Sequence, residues 1–273
     1  MSGEEDAGVA PHGGTLAGRV AIIAGAGAGI GRATALALAE AGADVVLAAR
    51  RPEPLRELAD GVRKSTGRRA LAIPTDIADP DAVRALVDGA VAELGRLDVV
   101  VNVATYNPGG LLENLERDEF RRAFDINVLG VLEVTRAALP HLRRSRGGSI
   151  VQISSEAPRM KLAGLAAYAS TKAAMETASA ILAREVGGDG IRVNVVAPGT
   201  TENAKLSAWI EELARERNTT PAAVRHEMVE DTALRRITLP EDIAATVLFL
   251  ASPAARGITG TVTHVNSGLI LEP

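Results

Sequence analysis

The sequence predicts an α/β protein: one domain built on a doubly wound, seven-stranded parallel sheet with helices on both faces. Three observations predict it. Short β-branched runs alternate with longer Ala/Leu/Glu/Arg-rich stretches, the pattern of βαβ units. The strand candidates have continuous apolar cores instead of strict alternation, as expected where helices cover both faces. No internal repeat or long linker divides the 273 residues, a length that single α/β domains reach.

Taken in order, "RVAIIA" (19–24) precedes a helical stretch at 30–42, and "DVVLAA" (44–49) precedes one in which Pro54 falls in the first turn, where proline is tolerated. "RALAIP" (69–74) leads to a helix with Asp79 as expected N-cap. "LDVVVNV" (97–103), "SIVQIS" (149–154), "IRVNVV" (191–196) and "TVTHVN" (261–266) complete seven strands. Residues 200–235 break the rhythm: they are helical in pattern but lie between the sixth and seventh strands, and they hold the single tryptophan, Trp209. An insertion there is placed to act as a lid over the carboxyl ends of the strands, where such sheets bind ligands. Residues 1–14, polar, acidic and Gly-rich, read as a disordered tail ahead of a domain spanning 15–273.

Composition narrows the chemistry. A formal charge of −4 argues against nucleic acid as partner. The chain has no cysteine, and its four histidines are scattered, which disfavours thiol catalysis and a metal site. With no long apolar run and no apolar leader, the protein reads as cytoplasmic, with no membrane partner.

The first strand runs straight into "AGAGAGIGR" (24–32). Gly25, Gly29 and Gly31, with Ala28 and Ile30 between them, form a loop whose backbone can approach a pyrophosphate at the N-terminus of the next helix. About 20 residues further on, an NAD site would place a carboxylate to accept the ribose 2′-hydroxyl. The chain instead has Ala49 followed by Arg50 and Arg51, whose guanidiniums suit a 2′-phosphate. NADP(H) is therefore favoured and NAD(H) is the alternative.

"YASTK" (168–172) holds one of two tyrosines in the chain. On a helix Tyr168 and Lys172 are i and i+4 and share a face. For a tyrosine to act near pH 7 its pKa must fall by roughly 3 units, about 4 kcal/mol of preference for the phenolate. A nearby lysine ammonium is the expected source. Ser155, at the end of the fifth strand, is placed to meet Tyr168 on one carbonyl oxygen.

With these motifs the chain resembles the short-chain dehydrogenase/reductase superfamily, the branch with Tyr-x-x-x-Lys and a Rossmann-type sheet. The resemblance runs from residue 16 to about 268. It implies a catalytic tetrad of Asn127, Ser155, Tyr168 and Lys172. It also implies cofactor contacts from the glycine loop, Asp76 and Ile77 at the adenine, Asn102 and Ala104 after the fourth strand, and Pro198 and Gly199 beside the nicotinamide. Several positions depart from the family pattern. Asn-Asn-Ala-Gly is "NVAT" here, with Val103 and Thr105 at the changed positions; Ala28 stands where many NADP-binding members carry a basic residue; Asn203 replaces a threonine, with Thr200 and Thr201 as substitutes; and "HVDGG" is "HVNSG".

The resemblance implies a reversible ketone/secondary-alcohol oxidoreductase, expected to run as an NADPH-dependent ketoreductase. Its Tyr168 would move the proton, Ser155 hold the substrate oxygen, Lys172 hold the ribose, and Asn127 anchor a water leading to Lys172. An NAD-dependent alcohol dehydrogenase is the alternative, and a catalytically silent dinucleotide sensor is a third reading that would not need the tetrad. Met160, Leu162 and Trp209 are candidate substrate contacts and point to an apolar or ring-bearing carbonyl compound, 3-oxoacyl or polyketide-like. The helices at 117–144 and 163–186 carry many small residues, and in the family such helices build a dimer face. A homotetramer is expected, with a dimer as the alternative.

Overall fold

The computed structural model describes residues 14–145 and 147–271, so the expected tail lies, apart from Gly14, outside the described residues. Seven parallel strands form one sheet: β1 (Val20–Ala24), β2 (Asp44–Ala49), β3 (Ala70–Pro74), β4 (Val99–Asn102), β5 (Gly148–Ile153), β6 (Ile191–Pro198) and β7 (Val262–Val265). All seven expected strands are present, with ends within two residues of the sequence reading. Their order is β3-β2-β1-β4-β5-β6-β7. The order reverses between β1 and β4, and Ala24 is in register with Ala48 on one side and Asn102 on the other. Ligands bind outside the carboxyl ends at such a reversal.

Helices α1 (Ile30–Glu40) and α2 (Pro52–Thr66) cover one face of the sheet, and α3 (Pro80–Leu94) covers the other. Proline at the first helical position starts both α2 and α3, where its missing N–H costs nothing. Pro54 is the third residue of α2. Asp79 caps α3 as expected, its carboxylate accepting from the Asp81 and Ala82 N–H groups at 2.9 and 3.4 Å.

Next come α4 (Arg117–Phe124) and α5 (Val131–Arg144), joined without a break by a π-helical turn over Asp125–Gly130. Gly130 allows the turn to press on the loop after β3: a Cβ there would lie 2.6 Å from the Ile77 carbonyl oxygen. A short helix, α6 (Ala157–Met160), precedes the long α7 (Ala166–Val186). The helices α3, α5 and α7 bury Val83, Leu86, Val134, Met175 and Ala183 against one side of the sheet. The opposite core receives Leu38, Leu55 and Val62, together with Ile243 and Val247 of α10 (Pro240–Ala251).

The expected insertion forms α8 (Ala204–Glu216) and α9 (Pro221–Glu230). These two pack on each other through a small core of their own, Ile210, Ala214 and Val224. At its base the segment is closed by a bridge between Thr201 and Thr238, and the Ala233 and Leu234 N–H groups donate to the Gly268 and Ser267 carbonyls. Among the described residues no helix is long and apolar enough to cross a membrane, and no cluster of three or more His, Asp or Glu is arranged to hold a metal.

Candidate active site

A cavity of about 660 Å³ opens at the carboxyl ends of β1, β2 and β4, where the strand order reverses. The glycine loop forms its floor, and the glycines there have different reasons to be glycine. A Cβ on Gly25 would lie 2.3 Å from the Ala104 backbone nitrogen, and one on Gly31 would lie 2.2 Å from the Gly25 carbonyl oxygen. These two allow β1, β4 and α1 to close up. Gly27 and Gly29 face open space: a Cβ on either meets nothing within 4 Å, and Gly29 has φ 69°. Gly29 also caps α1 without a side-chain bond, so the first N–H groups of that helix remain available. A cradle of open glycines leading to an uncapped helix N-terminus fits a dinucleotide pyrophosphate.

From this floor the cavity extends past Ala49 and Arg50 to Thr75, Asp76 and Ile77. Ala28, Ile30, Ala104 and Thr201 also line it, as the sequence reading expected. Other expected contacts do not. Arg51 is exposed but outside the lining. Asn102 is buried, with Nδ2 donating to Thr135 at 3.2 Å and Oδ1 unpaired. Pro198, Gly199 and Thr200 are backbone packing positions: a Cβ on Gly199 would meet the Asn266 Cβ at 2.8 Å, and the Pro198 carbonyl accepts the Glu156 N–H. Met160, Leu162 and Trp209 do not line the cavity either, and Leu162 and Trp209 are about half exposed.

The four tetrad residues converge beside Thr105 and Tyr106, which line one side of this cavity. Ser155 follows β5 by two residues, and its Oγ accepts the Ala157 N–H at 3.1 Å. Tyr168 stands in the first turn of α7, with the side chains of Ser155 and Thr105 facing its phenol. Lys172 lies one turn on, 2% exposed, and its Nζ donates to the Ile153 carbonyl at 2.8 Å. That nitrogen is 5.6 Å from the centre of the Tyr168 ring.

The electrostatics differ from the sequence expectation. Burial pushes the Tyr168 phenol up, and the hydrogen bonds from Ser155 and Thr105 only partly oppose it. Burial likewise brings the Lys172 ammonium down to about 8, against the attraction of Glu176. The lysine therefore does not deliver a depressed tyrosine here: desolvation outweighs an ammonium turned toward a backbone carbonyl.

Asn127 is central but in another way than expected. Its Nδ2 donates to the Tyr106 carbonyl at 2.7 Å and to Thr171 Oγ at 2.9 Å. Its Oδ1 accepts from the Tyr106 N–H at 2.7 Å and from Thr105 Oγ at 3.2 Å. Two donors and two lone pairs of the side chain are all used within the protein.

Sequence reasoning passed over Thr105, Tyr106, Thr171 and Glu176. The i+4 spacing of Tyr168, Lys172 and Glu176 on one helix face was a usable signal for the last. Glu176 also binds Arg159 at 2.9 Å and accepts from Ser154, which places Arg159 in an internal ion pair. Tyr106 donates to Glu119 beneath the Arg122 guanidinium, which sits 4.7 Å from its ring centre.

Residues 25–270 match a family model described as enoyl-(acyl carrier protein) reductase. The chain belongs to the short-chain dehydrogenase/reductase superfamily. It is similar to a 7α-hydroxysteroid dehydrogenase of Escherichia coli strain K12, 34% identical over 257 residues that cover 94% of this chain and 96% of that one. Among solved structures it resembles L-sorbose reductase from Gluconobacter frateurii complexed with NADPH and L-sorbose, with TM-score 0.90 and 28% identity over 94% of this chain and 98% of that one. It also resembles NAD⁺-bound xylitol dehydrogenase, with TM-score 0.85 and 28% identity over 92% and 98% of the two chains. The protein is an NAD(P)-dependent oxidoreductase acting between CH–OH and C=O.

Proposed function

We propose that this short-chain dehydrogenase/reductase works as an NADP(H)-preferring ketoreductase, with Tyr168 as the proton donor. The observation that carries the reading is the convergence of the Ser155 and Tyr168 side chains beyond the carboxyl end of β5, with Ser155 Oγ fixed by the Ala157 N–H. A ketone oxygen placed between them accepts two hydrogen bonds, so negative charge developing on it is stabilised where it forms. When bound, the nicotinamide supplies the hydride. Every other task falls to the chain. Ser155 fixes the oxygen, Tyr168 delivers a proton to it, and Lys172 holds the nicotinamide ribose while its charge favours the tyrosinate left behind. Asn127 ties the loop after β4 to α7 through Tyr106 and Thr171.

The raised tyrosine favours one direction. At neutral pH it carries its proton, the state an acid needs to complete a carbonyl reduction. Alcohol oxidation needs the phenolate, which burial disfavours, so its rate should climb with pH up to the tyrosine pKa. The cofactor preference rests on Arg50 in the cavity lining and on Ala49, where an NAD site would place a carboxylate. The substrate class is an apolar or ring-bearing ketone, supported by the exposed Leu111, Leu112 and Leu162 on loops that meet where Gly110 and Gly164 approach. The hydroxysteroid dehydrogenase relative, named for a ring alcohol, supports it as well. Residues 200–235 act as a lid over this end. Initial rates with NADPH and NADH on steroid ketones, cyclic ketones, 3-oxoacyl thioesters and aromatic polyketide analogues test the reading. Inactivity on every class with both cofactors would sink it.

A cytoplasmic homotetramer goes with this reading. Leu129 and Ile181, on the π turn and α7, are 59% and 54% exposed among small neighbours, a surface suited to a second copy. Light scattering that finds a monomer at micromolar concentration would refute the assembly.

A further inference from the structure

Glu156, the residue after Ser155, is 1% exposed and takes no part in the proton transfer. Its Oε1 is hydrogen-bonded to His264 Nδ1 at 2.7 Å and accepts from Asn266 Nδ2 at 2.9 Å, both at the end of the edge strand β7. A carboxylate only accepts, so His264 presents a proton on Nδ1. The second oxygen, Oε2, is buried without a hydrogen bond, and Arg159 Nε lies 3.9 Å from it. A half-satisfied buried carboxylate is a poor source of stability, because nothing at Oε2 offsets its desolvation. What it does supply is a fixed direction between two strands.

The backbone around Ser155 has two ties to β6. The Ser154 N–H donates to the Val196 carbonyl at 2.7 Å, and the Glu156 N–H donates to the Pro198 carbonyl at 2.9 Å. Alone, these two ties leave the segment free to rock about the line joining them. The Glu156 side chain adds a third tie off that line, to β7. Ser155 Oγ, bound by the Ala157 N–H at 3.1 Å, belongs to the same segment and moves with it. Asn266 is itself held: its Oδ1 accepts the Gly268 N–H at 2.8 Å, and its Nδ2 also donates to the Ile270 carbonyl at 3.2 Å. Position 266 is where the family pattern has aspartate. An aspartate there would set a second carboxylate against Glu156 Oε1, whereas asparagine presents a donor.

We propose that Glu156 is a positioning residue for Ser155, anchoring the serine's segment to the edge strand through His264 and Asn266, with asparagine at 266 as the donor this anchor requires. The inference rests on the reading of Ser155 as the group that fixes the ketone oxygen. Little movement is needed for an effect, since a misplacement of about 1 Å can cost up to ~10²-fold in rate.

Three isosteric variants test it. Asn266→Asp opposes two carboxylates without changing shape. Its kcat on a ketone that the wild type reduces should fall about 10-fold, while its affinity for NADPH, read by fluorescence titration, stays within about 2-fold. Glu156→Gln keeps an acceptor for both donors, so its kcat should stay within about 2-fold of wild type. Combining the two should bring kcat back to within about 3-fold of wild type. The turned glutamine amide then donates one proton to the new carboxylate at 266 and one to His264 Nδ1, whose own proton moves to Nε2. On a Ser155→Ala background, followed as single-turnover oxidation of NADPH, Asn266→Asp should cost less than about 2-fold. If Asn266→Asp does not give a native circular dichroism spectrum, Glu156→Met takes its place with the same expected loss, and Glu156→Gln is then the conservative rescue. An unchanged kcat in the disruptive variant, no recovery in its rescue, or an undiminished loss on the Ser155→Ala background would overturn the proposal and leave the ketoreductase reading standing. A wild type that reduces no ketone would sink that reading, and this proposal with it.

Discussion

The ribose end of the site and its catalytic end present cations under opposite conditions. Arg50 and Arg51 stand exposed at the end of β2, while Lys172 is 2% exposed beneath α7. In water-filled surroundings a guanidinium is fully charged whatever its neighbours do, and each contact it makes is weak and salt-dependent. Under α7 the environment decides whether charge exists at all: burial raises Tyr168 and lowers Lys172 to about 8. On the proposed NADP(H) reading, the open end sets a preference that a few substitutions can retune. The closed end sets a mechanism, and substitutions there should cost activity or change stability by larger amounts.

The largest effect expected is at the closed end. Tyr168→Phe keeps the ring packing and deletes the proton, so kcat for ketone reduction should fall at least ~10²-fold, the low end of general acid–base contributions. Cofactor affinity, read by fluorescence titration, should hardly move. Near-full activity in a folded Phe variant would dissolve the distinction between the two ends.

The next effect is on stability, and its sign is the test. Lys172 sits at about 8 against an ordinary 10.5, a difference worth about 3 kcal/mol as an order of magnitude. Below pH 8 the lysine is charged in both folded and unfolded states, and the fold bears the whole cost of burying it. Between pH 8 and 10.5 the folded lysine is neutral while the unfolded one still binds a proton, so stability rises with pH until both are neutral. Lys172→Met should therefore be inactive yet more stable than wild type in urea at pH 7, by about 1–3 kcal/mol, with the advantage shrinking toward pH 10. A Met variant less stable at pH 7 would mean that the Ile153 and Glu176 contacts outweigh desolvation.

The same contrast explains what was legible in the sequence. Strands and their order of appearance could be read because buried parallel strands need continuous apolar runs, and Gly25 and Gly31 because nothing larger fits between β1, β4 and α1. Tyr168 and Lys172 were legible because helix spacing puts i and i+4 on one face. The tyrosine's pKa was not: spacing shows that an ammonium is near but not where it points, and Lys172 points at the Ile153 carbonyl. Thr105 was equally hidden, since its partner Asn127 is 22 positions away and joined to it only through the folding of the π turn beside the β4 loop. Spacing alone does not place Trp209, which lies half exposed in the inserted segment, outside the cavity lining.

At the open end the expected effect is smaller and reversible. A guanidinium contact with a 2′-phosphate is worth about 1.5–3 kcal/mol, and the absence of a cation at Ala28 places the preference for NADPH over NADH in the lower part, about 10- to 40-fold. Ala49→Asp combined with Arg50→Ile should invert it, because a carboxylate accepts the ribose hydroxyls and repels the phosphate. Titration of both cofactors against both proteins checks this. Wild type binding NADH tenfold tighter than NADPH would reduce the two arginines to a solvated entrance to α2.

The smallest effect belongs to the inserted segment of α8 and α9, the proposed lid, whose first residues, Thr201 to Lys205, line the cavity. Its small separate core predicts faster amide exchange over 204–230 than in β1 or β4 when no ligand is present. One cross-link restrains it: Glu202, in the cavity lining at the foot of the lid, accepts from Arg225 on α9 at 3.2 Å and from Ser207 at 3.3 Å. The Arg225 guanidinium holds the Glu202 carboxyl below its usual range, so the pair contributes fully at neutral pH and is lost as pH falls through the lowered value. Because both side chains are partly exposed, the contribution is at most about 1 kcal/mol. Glu202→Gln should therefore speed exchange in α9 by no more than about 5-fold and leave the sheet unchanged, and 1 M salt should bring the wild type toward the variant. A lid as protected as the strands, or an α9 indifferent to Glu202→Gln, would show that α8 and α9 are fixed to the domain by packing, with no role for this ion pair.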